Sequence, residues 1–275
     1  MKKLILCGLS VIALASCSGD DDVTPQPKEP RMLTVVVSEN ALQDENASSR
    51  EANLHRASIT TTASLSSFVL NYENNPQEFN KAGSTWDKGT WPTDYDNKLD
   101  FYANDGGTFN WVSNAPYVNF TMEGNAFNQK DLLVAKTSAA YNDHEGQVPL
   151  TFDHACAAVQ FYVYKQESAN YTVNSIKLQN VKNSGEYHYS DNSWKEVKGS
   201  AEYTLTNTNI TVTTGYQLLP CNWLFVIPQE KSGLTLEIKY TKGGGAETTK
   251  SLNLGSGSWE AGKQYTVNIR IGKAS

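Results

Sequence analysis

His154 is the residue best placed for proton chemistry. It lies in the run Leu150-Thr151-Phe152-Asp153-His154-Ala155, expected at a strand start beside apolar Phe152. No Ser, Cys or acid stands around it at a spacing that a catalytic triad would use. The residue therefore reads as a half-buried histidine bonded to backbone. Asp94, Asp96 and Asp100 lie close enough to raise Ca²⁺, but the loop lacks the invariant Gly and terminal Glu of a complete calcium motif. They read as solvated turn acids. Cys156 and Cys221 sit in apolar strand contexts. A disulfide between them is permitted in a cell envelope, yet the contexts favour free, buried thiols. Trp86, Trp91 and Trp111 lie near turns and are the one plausible aromatic platform for a glycan. Packing between loop and sandwich is the plainer reading of the three. Two carboxylates converging on a cleft, as a glycosidase needs, cannot be placed from sequence. No catalytic residue, metal or cofactor is expected.

The chain has 275 residues, 39% of them hydrophobic and 19% charged. That is enough apolar material for a real core and too few charges for a disordered chain. With 23 Lys and Arg against 29 Asp and Glu, the formal net charge is -6. An acidic surface without basic clusters excludes nucleic acid as the expected partner.

The N-terminus reads as an address. Lys2-Lys3 precedes an apolar stretch from Leu4 to Ala15, too short to span a bilayer comfortably. It ends in Leu14-Ala15-Ser16-Cys17, which resembles the lipobox of bacterial lipoproteins. Residues 1–16 would then be a signal peptide. Cys17 would become the acylated first residue, carrying palmitate-type chains. Loss of Lys2 and Lys3 reduces the 23 basic residues to 21 against 29 acidic ones, a mature net charge of -8. Asp20-Asp21-Asp22 follows, an acidic cluster that resembles the export signal of surface lipoproteins in the Bacteroidetes. Residues 17–31 form an acidic and proline-rich linker.

The body alternates with period two, the signature of strands with one buried face. Leu234, Leu236, Ile238 and Tyr240 share a face; so do Tyr265, Val267, Ile269 and Ile271, and Ala157, Val159, Phe161 and Val163. Leu33, Val35 and Val37 begin an early strand. Leu218 to Ile227 is nearly continuous apolar, as a strand buried on both faces would be, although Pro220 weakens its start. Asp105-Gly106-Gly107 and Gly243-Gly244-Gly245 supply turns. No segment sustains helical spacing for three turns. The expected architecture is all-β, two sandwich domains at residues 32–147 and 148–275. Residues 40–58 are polar, with Arg50 and Arg56 in a Ser/Ala/Asn setting, and read as an exposed loop open to proteases.

Read in order, several pieces converge. Arg56-Ala57 precedes Phe68-Val69-Leu70-Asn71-Tyr72. Trp91-Pro92, Leu99-Asp100-Phe101-Tyr102-Ala103 and Gln129-Lys130-Asp131-Leu132-Leu133-Val134-Ala135 follow. Leu150 to Ala155, Val226-Ile227-Pro228-Gln229 and Trp259 to Tyr265 complete the series. It resembles the fimbrillin-like lipoproteins of Bacteroidetes, related to the major and minor fimbrillins, over nearly the whole mature chain. The resemblance implies two tandem transthyretin-like β-sandwiches. It implies assembly with other fimbrial subunits by donor-strand exchange, after an arginine-specific protease cuts the first loop. Arg56 fits that cut best and Arg50 second. It implies an outer-membrane lipid anchor before processing, and adhesion to a host or glycan ligand. Gly272-Lys273-Ala274-Ser275 is too short to donate a strand, so a tip-type subunit is expected. The alternative is a monomeric surface glycan-binding lipoprotein.

Overall fold

The computed structural model describes residues 31–44, 65–92 and 95–272. The first half of the chain contributes β1 (Met32–Glu39), β2 (Gln43–Asp44), β3 (Ser67–Tyr72), β4 (Asn75–Ala82), β5 (Thr85–Trp86), β6 (Gly89–Thr90), β7 (Leu99–Asp105), β8 (Thr108–Val112), β9 (Ala115–Thr121), β10 (Leu133–Ala139) and β11 (Gln147–His154). A four-residue helix, α1 (Tyr141–His144), precedes β11. The second half contributes β12 (Ala157–Lys165), β13 (Tyr171–Val181), β14 (Ser184–His188), β15 (Ser193–Lys198), β16 (Ala201–Thr204), β17 (Ile210–Val212), β18 (Gln217–Leu218), β19 (Leu224–Val226), β20 (Gln229–Glu230), β21 (Thr235–Lys242), β22 (Glu247–Asn253), β23 (Ser258–Trp259) and β24 (Lys263–Ile271). The all-β class expected from the alternation is what the described residues show.

The first core is lined by one sheet of order β5-β4-β3-β7-β10-β11-β1-β6. Phe68 of β3 and Phe152 of β11 are three strand spacings apart, about 14 Å in a flat sheet. Their rings nevertheless meet at 5.2 Å, so the sheet curls around its own inner face. Leu33, Phe68, Leu70, Phe79, Trp91, Phe101, Val148, Leu150 and Phe152 fill the space inside. The second core lies between two sheets, β18-β12-β24-β2 with β19 also on β12, and β16-β13-β21-β22 with β17 also on β13. Val159, Phe161 and Val163 of β12 and Ile269 of β24 meet Val173, Ile176 and Leu178 of β13 and Ile238 of β21 there. That is a sandwich.

Three expectations are corrected by the strand pairing. The boundary expected at 147/148 divides the wrong pair of residues. β11 pairs with β10 and β1 and its inward residues Val148, Leu150 and Phe152 belong to the first core. The chain passes to the second core at Ala155-Cys156. The run Leu218 to Ile227 is not one strand. β18 and β19 flank a turn through Pro220, with Asn222 at φ 56 and its N–H bonded to Leu219 O at 3.0 Å, and both strands pair with β12. Proline lacks the donor a ladder needs. β12 itself is the strand buried on both faces, since Ala158, Gln160 and Tyr162 are buried as well as Val159 and Phe161.

The halves are interwoven. The sheet β15-β14-β9-β8 joins a hairpin from each half. Trp194 Nε1 donates to Ala155 O at 2.6 Å, and Tyr189 Oη to Ala103 O at 2.8 Å.

Candidate functional site

β1 is the element on which the expected assembly chemistry turns. It runs parallel to β11, with Thr34 opposite Gln147 and Glu39 opposite Phe152. Its other edge pairs with β6 through Met32 and Leu33 alone, among the described residues. Alternation sends Leu33, Val35, Val37 and Glu39 inward. Leu33 is fully buried, and Val35 and Val37 pack against the first core. Val36, on the outer face, is 48% exposed. Gly146 admits the start of β1. Its φ is +80°, and a Cβ there would stand 2.4 Å from Met32 O. Thr34 N–H donates to Gly146 O at 3.0 Å.

The chain then crosses to the other core. Asn40 N–H donates to Phe152 O at 2.8 Å, and Asn40 Nδ2 to Asp153 Oδ1 at 2.6 Å. Leu42 is buried, and β2 adds to the edge of β24, with Gln43 N–H on Gly262 O at 2.7 Å. Residues 31–44 thus form a strap over both cores.

At the crossing point lies a buried ionic cluster. β11 alternates without a fault, so Val148, Leu150, Phe152 and His154 form one inward row. His154 closes that row as Glu39 closes the row of β1. His154 Nδ1 donates to Asp131 Oδ2 at 2.5 Å, and His154 Nε2 stands 3.0 Å from Glu39 Oε1. The three side chains are 4%, 7% and 1% exposed for His154, Asp131 and Glu39. Asp131 Oδ1 also accepts from Cys156 N–H at 3.0 Å. Glu39 has no hydrogen-bond partner on either oxygen, so the contact with His154 is a charge pair. Burial pulls the imidazole down, but the bond to Asp131 and the charges of Asp131 and Glu39 outweigh it and push His154 up to about 9. The imidazolium is the form held at neutral pH. Burial pushes Asp131 up despite its bonds from His154 and Cys156. The two shifts divide the account of one pair: the imidazolium gains from the contact, and the buried carboxyl is incompletely offset.

This trio with Cys156 is not a nucleophilic site. Burial and the nearby Asp131 hold the Cys156 thiol well above its ordinary range, and the thiolate is the reactive form. Cys156 and Cys221 are both free and buried. Sequence reasoning treated His154 alone and missed Asp131 and Glu39. A signal was present, because Asp131 and His154 each end a polar step inside an otherwise apolar motif.

The remaining expected residues fall as follows. Cys17, Arg50, Arg56 and Asp94 lie outside the described residues. Asp96 accepts from Asn142 at 3.3 Å, and Asp100 from Ser138. No group of three His, Cys, Asp or Glu among the described residues could hold a metal ion. Trp91 is 1% exposed and packs edge-on against Phe101 and Tyr141. Trp86 stands half-buried against Phe68 in the first core, and Trp111 against Tyr102 in the second. The three tryptophans do not form the common exposed platform a glycan would need, because each is spent on packing and they serve two cores.

Comparison with known proteins agrees with this architecture. A fimbrial protein of Bacteroides vulgatus superposes with a TM-score of 0.56 at 15% identity, over 88% of this chain and 95% of its own. A candidate cell adhesion protein of Bacteroides ovatus gives 0.51 at 13%, over 86% and 91%. One of Bacteroides uniformis gives 0.50 at 13%, over 90% and 95%. At such identities the likeness is one of fold. No curated protein matches the chain. The family model described as fimbrillin-like matches residues 50–275, and by that match the chain belongs to the fimbrillin-like family.

Proposed function

We propose that this chain is a fimbrial subunit of tip type, which assembles by protease-triggered strand exchange for surface adhesion. Membership of the family carries a fimbrial or adhesive role at the cell surface. The observation that supports the finer reading is β1. It is held by one long parallel partner, pairs over two residues on its other edge, and inserts an apolar row into the first core. Such a strand is replaceable by another extended segment, which restores the main-chain bonds and refills the alternate pockets. Without a replacement the row Phe152, Leu150, Val148 would face water.

In this reading an arginine-specific protease cuts after Arg56, with Arg50 the second choice. The segment from Cys17 to Arg56 leaves and other fimbrial subunits fill the groove. Cys17 anchors the precursor in the outer membrane, so the processed subunit has no tether of its own and must be carried by subunits beneath it. That suits a tip. Treating the folded chain with Arg-specific protease should cut after Arg56, and Arg56→Ala should abolish both processing and incorporation into filaments. A surface form that keeps Cys17, or a folded chain that resists the protease, would favour the anchored monomer instead. Cys17→Ala should release soluble protein, and a variant still partitioning with membranes would remove the lipid assignment.

A further inference from the structure

We propose that the groove under β1 selects an acidic residue in the strand that fills it, read by His154 at the position of Glu39. The inference rests on the strand-exchange reading and names the chemistry of the partner. Three observations carry it. The inward row of β1 is apolar at Leu33, Val35 and Val37 and then ends in a carboxylate. The groove beneath mirrors it, apolar through Phe152 and then ionic at His154. And Glu39 leaves with β1, whereas Asp131 and His154 stay with the body of the protein.

What remains after β1 departs is an imidazole held from behind. Asp131 occupies Nδ1 and is itself fixed by Cys156 N–H. Nε2, which stands 3.0 Å from Glu39 Oε1 in the intact fold, then faces the vacated position without that counter-charge. An incoming aliphatic residue would leave the buried imidazolium without its second counter-charge, and removing one partner of a buried charge cluster is strongly destabilising. An incoming lysine would set two cations together in a buried site. A carboxylate alone restores the charge pair. The preferred occupant therefore carries apolar side chains at the Leu33, Val35 and Val37 positions and Glu or Asp at the Glu39 position. The same contact pins register. A slip by one residue would turn the whole apolar row outward, and a slip by two would put Val37 or Ala41 where the Glu39 side chain now meets His154.

The test uses the full chain with a sequence-specific protease site inserted between residues 45 and 64, cut in the folded state. Fluorescent synthetic peptides spanning residues 31–44 then compete for the groove, with anisotropy as the readout. The native peptide should enter. A Glu39→Leu peptide should bind at least about tenfold more weakly, and Glu39→Lys at least about a hundredfold, as a lost buried counter-charge and a buried like charge imply. In a His154→Gln chain the differences should shrink. Equal binding of native and Glu39→Leu peptides overturns the acidic requirement and leaves strand exchange standing. Failure of the native peptide to enter overturns strand exchange and the requirement together. A series unchanged in the His154→Gln chain shows that His154 is not the reader.

Discussion

Glu39, Asp131 and His154 make stability depend on pH in a stated direction. The folded His154 is raised from 6.5 to about 9 by its two carboxylates, against the pull of burial. A raised basic group contributes in full below its unfolded value and loses the contribution as pH climbs through the folded one. Its window is therefore about pH 6.5 to 9. Asp131, also raised, acts in the same sense at acid pH, because the folded state again binds the extra proton. The cluster has further charged neighbours in Asp105 and Lys130. Urea unfolding should show wild-type stability falling across that window by on the order of 3 kcal/mol at most, at 1.36 kcal/mol per pKa unit. His154→Gln should lack this fall, and identical pH slopes in the two proteins would sink the assignment. The histidine was legible in sequence as part of a strand. Its partners were not, since Asp131 precedes it by 23 residues and Glu39 comes from the first strand. Local spacing carries no information on pairs that only the sheet brings together.

Among the elements, β1 and β11 show how far pattern reading reaches. The alternation of each is plain in the sequence, and their inward faces follow from it. That they lie side by side and parallel does not, because parallel strands need a long crossover and leave no hairpin signal between them. The misplaced boundary has the same origin. Gly146-Gln147 has the composition of a linker, yet Gly146 serves the packing of β1. Its positive φ suits glycine, and the space for a Cβ is taken by Met32 O. Gly146→Ala should destabilise the protein by roughly 1–3 kcal/mol, the cost of a non-glycine residue in strained backbone. The effect belongs to one strand edge. Hydrogen exchange should accelerate first at Thr34 N–H, which bonds Gly146 O. Uniform acceleration across β13 and β21, with Thr34 no different, would contradict this account. The run Leu218 to Ile227 failed for another reason: its apolar residues serve β12 from two short strands, and Pro220 supplies the break between them.

For the whole molecule, the question is whether two cores make two folding units. Two tandem sandwiches joined by a linker would unfold separately, as domains with small interfaces do. The connections here are of another kind. A four-stranded sheet takes β8 and β9 from the first half and β14 and β15 from the second. Val118 of β9 is fully buried in the second core, while β11, which leads directly into β12, is buried in the first. The strap from Arg31 to Asp44 crosses both, and Gly262 N–H bonds Cys156 O at 3.0 Å beside the crossing. Neither core can open without breaking a ladder that the other shares. Leu150→Ala, a truncation of a side chain 1% exposed in the first core, should cost about 2–5 kcal/mol. Native-state hydrogen exchange should show that loss in the second core too, at the amides of β13 and β21, and calorimetry should show one transition. If β13 and β21 keep their protection while β7 and β10 lose theirs, the cores are separate units. For the same reason a fragment ending at residue 147 should not fold. It lacks β11, and with it the strand against which both β1 and the start of β10 are paired.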